Sequence, residues 1–302
     1  MGTVCEIVLD GDATPAIVAF DEIARIEQML STWRDGSELS RLNRSQSAEV
    51  SRELFAVLSD AIRSAEATGG AFNPLTGPLV ELWRTREQGL VPTPEAIANI
   101  LPLANLEGPR FDAGSRRVSL PAGSAFEEGG FGKGYALDRA AAVLEEAGKR
   151  EFLLDFGGQL MLRSSAPIDV AIASPEHRDE PLLLLTMTSG SLSTSSGSEK
   201  TFVVDGVRFS HILDPRDGRA LPSRGSVSVV SSSAFEADVL STALYVMGPR
   251  EGLAWANAHD VAAIFIVPTE AGWKFLLSDK SNTAGLAVRA AGTEFKQGEK
   301  TQ

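Results

Sequence analysis

The segment AFEEGGFGKGYALDRAAAVLEE, from Ala125 to Glu146, places two carboxylates, a run of glycines and one lysine directly before an amphipathic helix. Glycines let backbone N–H groups approach an anion at a helix N-terminus, and Lys133 could supply the counter-charge. The spacing is neither a Walker loop, which needs Ser or Thr after the lysine, nor the G-x-G-x-x-G of dinucleotide-binding folds. On its own, the segment is most simply interpreted as a glycine-rich entry into a helix.

A second pattern, EADVLSTALYVMG (236–248), spaces a carboxylate and a hydroxyl four residues apart. On a helix this spacing puts Asp238 and Thr242 on one face, about one turn apart. Hard oxygen ligands of this kind suit Mg²⁺. The spacing alone leaves an alternative open, in which Asp238 and Ser241 are polar residues at a helix N-terminus and Thr242 faces the core.

A histidine follows a β-like run in FSHILDP (209–215). An imidazole with a reference pKa of about 6.5 can exchange a proton at neutral pH, which a general acid/base must do. The alternative for His211 is a structural hydrogen-bonding role, the commoner case for a lone histidine. Asp214, Pro215 and Gly218 are typical of the turn that follows it.

Composition excludes several classes of protein. The formal charge of −12, with no run of Lys or Arg, argues against nucleic-acid binding. Cys5 is the only cysteine, so the chain has no intramolecular disulfide and no thiolate metal cluster. The three histidines are too scattered for a zinc site of the usual kind.

The elements that must position these residues indicate an α+β fold. Helical periodicity is clear over roughly 15–33, 52–68 and 133–147, and a further helix is expected at 235–247. Short β-like runs separated by Gly, Ser, Pro and Asp fill 151–230, and VAAIFIV and WKFLLS add two more near the C-terminus. Helices followed by mainly antiparallel strands are typical of the α+β class. With 302 residues and 43% hydrophobic content, we expect one domain spanning 1–302 that consists of two intimately packed lobes.

Six motifs in order give the chain a specific resemblance. They are MGT at the start, STWRDGSELSRLN (31–43), TGGAF (68–72), GGFGKGYALD (129–138), SHILDPRDG (210–218) and ADVLSTAL (237–244). From Met1 to about Gly248 the chain closely resembles the ApbE-type FAD:protein FMN transferases. The resemblance implies a T-fold-related architecture of mainly antiparallel sheets with flanking helices, with FAD bound in the cleft between the two lobes.

The resemblance also implies roles for individual residues. In similar proteins Mg²⁺ is held by the aspartate and threonine of the ADxLST element and by a main-chain carbonyl three residues before the lysine. Those positions are Asp238, Thr242 and Gly130 in this chain. The histidine beside the scissile pyrophosphate corresponds to His211, the expected general acid/base. The expected contacts with the flavin dinucleotide are Met1, Trp33, Ala71, Phe72, Asn73, Glu127, Lys133 and Ile212.

The chain departs from the family pattern at several positions. Trp33 replaces a more usual tyrosine, and an indole can still stack on a flat ring. Asn73 and Glu127 each replace a more usual aspartate, and Asn73 exchanges a charge for hydrogen-bond donors. Gln159 also stands where an aspartate is common. Glu128 falls where the family is generally apolar and is interpreted as a solvent-facing charge. These departures favour a divergent or slow enzyme.

The expected reaction is Mg²⁺-dependent transfer of the FMN moiety of FAD to a Thr or Ser hydroxyl of an acceptor protein, with release of AMP. Two alternatives remain: an FAD pyrophosphatase that gives FMN and AMP, and a catalytically silent FAD-binding protein. The start of the sequence lacks a basic segment followed by a continuous apolar run, so a cytoplasmic location is expected for the chain as given. Many similar proteins are exported or membrane-anchored, which is the alternative if an N-terminal segment is missing.

Overall fold

The structure is a computed structural model that describes residues 3–87, 89–197, 201–204, 206–283 and 287–290. Its helices are α1 (Thr14–Leu30), α2 (Glu38–Ser45), α3 (Arg52–Ala67), α4 (Gly77–Trp83), α5 (Pro94–Ile100), α6 (Gly132–Glu146), α7 (Ala234–Ala258) and α8 (Asp279–Thr283), with a 3₁₀ turn at Leu101–Ala104. Its strands are β1 (Cys5–Leu9), β2 (Ser47–Glu49), β3 (Arg110–Asp112), β4 (Arg117–Ser119), β5 (Phe152–Phe156), β6 (Gln159–Ala173), β7 (Pro181–Ser196), β8 (Thr201–Val204), β9 (Val207–Ser210), β10 (Leu213–Asp214), β11 (Arg219–Ala220), β12 (Ser226–Ser231), β13 (Ala262–Thr269), β14 (Gly272–Leu277) and β15 (Ala287–Ala290).

The main sheet has the order β1-β5-β6-β7-β12-β13-β14, and β15 also pairs with β7. Every pairing in it is antiparallel. Side chains alternate between its two faces, as a pleated strand requires. On β13, Ala263 and Phe265 join the core formed with α1, α6 and α7, whereas Ile264 and Ile266 join a second core on the opposite face. The helices that carry the candidate residues therefore pack on one face of the sheet.

A third apolar cluster connects α4 and α5 with the β8–β9 hairpin. The Trp83 ring lies 6.4 Å from Phe202 and 5.9 Å from Phe209, and those two phenyl rings stack at 5.6 Å. Trp83 also donates from Nε1 to the Gly218 carbonyl at 2.8 Å. The cluster thereby holds the turn that follows His211 against α4.

The expected α+β class is confirmed. The helices expected at 15–33, 52–68 and 133–147 are present as α1, α3 and α6, each within a few residues of the expected bounds. The runs QLMLRS and IDVAIA form one strand, β6, whose pairing with β7 shifts register between Arg163 and Ile168. Among the described helices, none combines the length and apolar character that crossing a bilayer requires.

Helix α7 is longer than expected, because two helical segments meet at Gly248. The φ of Gly248 is 78°, a left-handed conformation that favours glycine, and Pro249 follows it. Proline is well tolerated in the first turn of a helix, so Pro249 can begin the second segment. The segment that carries Asp238 and Thr242 therefore ends at Gly248.

The close crossing of α6 and α7 depends on a missing side chain at Gly134. A Cβ at this position would stand 2.2 Å from the Ala234 carbonyl oxygen. We expect Gly134→Ala to lower the free energy of unfolding by about 1–3 kcal/mol, the usual cost of overpacking, measured by urea denaturation.

Gly129→Ala is the matched control, because a Cβ there would meet nothing nearer than Glu127 Oε1 at 3.6 Å. Its free energy of unfolding should change by no more than about 0.5 kcal/mol. Equal stability of the two variants would contradict the close packing of α6 on α7.

Candidate active site

The carboxylate of Asp238 lies at the crossing of α6 and α7. Asp238 is 3% exposed, and its Oδ2 accepts the backbone N–H of Gly134 at 3.0 Å. Lys133 Nζ lies 3.5 Å from Oδ1. The first turn of α6 thus directs one backbone donor and one ammonium group at this carboxylate, which a buried charge requires.

The glycine-rich turn lies against the face of α7 that carries Thr242. A Cβ on Gly130 would stand 3.3 Å from Thr242 Oγ1 and 3.2 Å from the Phe72 ring. Phe72 packs edge-on against Phe131 at 6.4 Å, so aromatic side chains support the turn from beneath. The structure therefore brings Gly130 and Thr242 together, one helical turn from Asp238.

This donor set suits a hard cation. It offers one buried carboxylate, one hydroxyl and the backbone of a turn, and oxygen donors of these kinds are the ligands that Mg²⁺ prefers. Within the described part of the chain, no group of three or more His, Cys, Asp and Glu side chains could hold a metal ion. A metal bound here would therefore depend on main-chain and hydroxyl oxygens as well as on Asp238.

Asp238, which the alternative places among the polar residues at a helix N-terminus, does not cap α7, because other residues do so. Ser233 Oγ accepts the N–H of Glu236 at 3.2 Å. Asp138 accepts the N–H groups of Ala234 at 2.6 Å and Phe235 at 3.0 Å. Asp138, whose capping role sequence reasoning missed, is the last residue of the GYALD motif, and it fixes α7 relative to α6.

Ser241, the other residue of that alternative, has a structural role. Its side chain is fully buried, and its hydroxyl donates to the Asp238 carbonyl at 3.0 Å. It also lies within hydrogen-bond distance of Ser193 and Ser195 on β7. Ser241 therefore ties α7 to β7 of the main sheet.

The segment from Ala71 to Asn73 is buried beside the turn. Ala71 and Phe72 are 1% and 2% exposed. Asn73 donates from Nδ2 to the Ala104 carbonyl and accepts the Leu75 N–H at Oδ1, each at 2.8 Å. Asn73 therefore has internal partners on both sides of its amide. Contact of these three residues with the dinucleotide stays a prediction.

Trp33 and Glu127 lie in one polar group next to the glycine-rich turn. Trp33 is 58% exposed, and the Arg86 guanidinium covers its ring at 4.6 Å from Cζ to the centroid. Arg86 also donates from Nη2 to Glu127 Oε2 and to Thr32 Oγ1. The longer side chain of Glu127 therefore ends in an ion pair with Arg86, a residue that sequence reasoning missed.

The interpretation of Glu128 as a solvent-facing charge is wrong. Its side chain is buried, with 5% exposed, and Oε2 accepts a hydrogen bond from Thr32 Oγ1. Burial, and secondarily the charge of Glu127, raise the pKa of Glu128 above its ordinary value. The local sequence did not predict the burial of Glu128, because Thr32, which donates a hydrogen bond to it, lies 96 residues earlier in the chain.

His211 is half-buried on the segment between β9 and β10. The backbone of its neighbour Ile212 is fixed, because Ile212 N donates to Ser210 Oγ at 3.0 Å and Ile212 O accepts Leu221 N at 2.9 Å. The side chain of Tyr245, three residues after Thr242, packs beside Ser210 across Gly197. The segment that carries His211 is therefore fastened near the helix face that carries Thr242.

Two arginines that sequence reasoning missed connect this segment to the break in α7. Arg224 donates from Nη2 to the carbonyls of Tyr245 and Val246, the latter at 2.7 Å. Arg216 pairs with Asp214 at 2.9 Å and reaches the Val246 carbonyl at 3.4 Å. Carbonyls left without helical partners at Gly248 thereby gain charge-assisted hydrogen bonds.

Two further positions that the sequence analysis singled out are Gln159 and Met1. Gln159 is 2% exposed and donates from Nε2 to the Ala234 carbonyl at 2.8 Å, so it supports the start of α7. Met1 lies outside the described residues, and its expected contact with the dinucleotide stays a prediction.

Comparison with known proteins gives matches over most of the chain. The model of the ApbE family matches residues 1–265. The chain is 31% identical to the FAD:protein FMN transferase of Vibrio cholerae over 264 residues, which cover 83% of this chain and 79% of that protein. It is also 31% identical to the protein of the same description from Treponema pallidum, over 89% of this chain and 83% of the relative.

Solved structures show the same fold. The crystal structure of the ApbE protein of Thermotoga maritima superimposes with a TM-score of 0.86 at 28% identity, covering 93% of this chain and 96% of that one. The flavin transferase ApbE of Vibrio cholerae superimposes with a TM-score of 0.80, also at 28% identity, over 94% and 96% of the two chains.

Proposed function

The chain belongs to the ApbE family, and we propose that it transfers the FMN moiety of FAD to a Thr or Ser hydroxyl of an acceptor protein, releasing AMP. The relatives named FAD:protein FMN transferase support the reaction class. The proposed reaction requires Mg²⁺, uses a Thr or Ser hydroxyl as acceptor and has AMP as the leaving group.

The observation that carries the proposal is the convergence of the glycine-rich turn on α7. Asp238 accepts hydrogen bonds from the first turn of α6, and Gly130 meets Thr242 at the same crossing. Asp238, Thr242 and the Gly130 carbonyl would hold Mg²⁺ in this arrangement. When bound, the metal would neutralise charge on the pyrophosphate of FAD.

Lys133 and His211 have distinct roles in this proposal. The ammonium of Lys133, which is 30% exposed, can exchange its contact with Asp238 for one with a phosphate oxygen. His211 takes the proton of the acceptor hydroxyl. The hydroxyl oxygen then forms a bond to the FMN-side phosphorus while the bond from that phosphorus to the bridging oxygen breaks. AMP leaves with the bridging oxygen, so the atoms and charges balance.

A single incubation separates the proposal from its two alternatives. We expect the protein with FAD and Mg²⁺ to release AMP only when an acceptor protein is present, and to leave covalent flavin on that acceptor. Release of AMP and free FMN without an acceptor would instead show a pyrophosphatase. Intact FAD under every condition, including a range of candidate acceptors, would show a binding protein. Chelation of Mg²⁺ by EDTA should stop the reaction.

A further inference from the structure

Arg86 has three contacts that place it between Trp33 and the glycine-rich turn. Its Cζ lies 4.6 Å from the centroid of the Trp33 ring, within the usual range of a cation–π contact. Its Nη2 donates to Glu127 Oε2 and to Thr32 Oγ1. The Arg86 side chain is 26% exposed and that of Glu127 is 13% exposed, so the ion pair is partly shielded from water.

The Thr32 hydroxyl links Arg86 to Glu128 through two hydrogen bonds. The Thr32 hydroxyl has one hydrogen, and Glu128 Oε2 is an acceptor for it. The oxygen of the same hydroxyl can then accept from Arg86. Because Thr32 precedes Trp33 in the chain, the guanidinium is anchored to the side-chain hydroxyl of the residue next to the indole that it covers.

The indole consequently has one covered face and one open face. Trp33 remains 58% exposed although Arg86 lies over its ring. An exposed tryptophan without such a contact would lose rotamer freedom on stacking against a ligand, which reduces affinity. A tryptophan already held by a guanidinium has lost part of that freedom before the ligand binds.

We propose that Arg86 is a positioning residue for substrate binding: anchored by Glu127 and Thr32, it fixes the Trp33 indole so that the open face stacks on a flat ring of FAD. This inference rests on the proposed function. It assigns a purpose to the glutamate at position 127, whose additional methylene brings the carboxylate to Arg86. It also predicts that Arg86 acts through Trp33 rather than through the phosphates.

The test is a double-mutant cycle on FAD affinity, measured by titration calorimetry. Arg86→Ala should weaken FAD binding by about 3- to 30-fold, the range expected for loss of a partly desolvated cation–π contact. Trp33→Ala should weaken binding as well. In the Trp33→Ala background, Arg86→Ala should have no further effect, because the ring that it positions is absent.

Two half-ligands distinguish stacking from charge. FMN and ADP each contain phosphate but carry different rings. If Arg86 acts by positioning Trp33 against one of these rings, Arg86→Ala should weaken binding of only the ligand that carries that ring. Equal losses for both ligands, or a loss that persists in the Trp33→Ala background, would overturn the inference and indicate a phosphate contact. Arg84→Ala removes the same charge from the same turn, but from an exposed side chain, and should leave FAD affinity within about twofold of wild type.

A third measurement reports on the indole itself. Acrylamide quenching of tryptophan fluorescence, with Trp33→Phe as the reference for the other tryptophans, should increase in Arg86→Ala without FAD. Unchanged quenching, with the melting temperature of the variant retained, would show that Arg86 does not hold the ring. If the wild-type protein binds no FAD, both the proposed function and the inference are contradicted. If it binds FAD but the effects of Arg86→Ala and Trp33→Ala on FAD affinity are additive, the inference alone is contradicted.

Discussion

Asp238→Ala is expected to abolish measurable Mg²⁺-dependent turnover. The variant removes the single buried carboxylate that α7 presents at the crossing with α6. Loss of one preorganised electrostatic contact typically lowers the rate by about 10²- to 10³-fold, and removing a metal ligand should meet or exceed that range. The measurement is AMP release from FAD with saturating acceptor across a range of Mg²⁺ concentrations.

Asp238→Asn is the matched control for structure. An asparagine oxygen can still accept the Gly134 N–H, so the crossing of α6 and α7 should be retained while the charge is lost. We expect this variant to unfold at a urea concentration close to that of wild type and yet to require far more Mg²⁺. Wild-type turnover in Asp238→Asn would show that the metal, if bound, does not depend on this carboxylate.

His211→Ala is expected to lower the transfer rate by about 10²- to 10⁴-fold, the usual span for losing a general acid/base. FAD affinity should change little, because Lys133 and the α6–α7 crossing are untouched. The rate is measured in single turnovers with FAD bound beforehand, so that binding and chemistry are separated.

His211→Asn separates catalysis from structure at the same position. Asparagine retains hydrogen-bonding capacity but cannot exchange a proton near neutral pH. Near-wild-type transfer by this variant would make His211 a structural hydrogen-bonder. Loss of FAD binding together with activity in both variants would place His211 in the binding site and exclude it as the base.

Local spacing predicted that Asp238 and Thr242 share one helix face but left open whether they bind a metal. Asp238 and Thr242 are four positions apart, and helical geometry alone puts them on one face. The meeting of Gly130 with Thr242 came from the family resemblance, because no spacing rule relates positions more than a hundred residues apart. The structure supplies the physical reason for the contact, since Gly134 lets α6 lie directly on the start of α7.

Residues whose roles depend on distant partners could not be predicted. Glu128 looks like a surface charge until Thr32 and Glu127 are placed beside it. Arg86 and Arg224 lie outside every motif. Arg86 covers an exposed indole and Arg224 bonds to carbonyls at the break in α7, and the sequence reveals neither feature. Short polar elements such as α2 and the β2–β4–β3 sheet were also missed, since few apolar residues mark their periodicity.

Mass spectrometry of an acceptor protein after incubation with this protein, FAD and Mg²⁺ tests the proposed FMN transfer most directly. We predict that FMN becomes attached to a Thr or Ser of the acceptor through a phosphodiester, with one AMP released for each flavin attached. The Asp238→Asn variant should give neither product under the same conditions. AMP released without flavin on the acceptor, or flavin attached equally well by Asp238→Asn, would contradict the account.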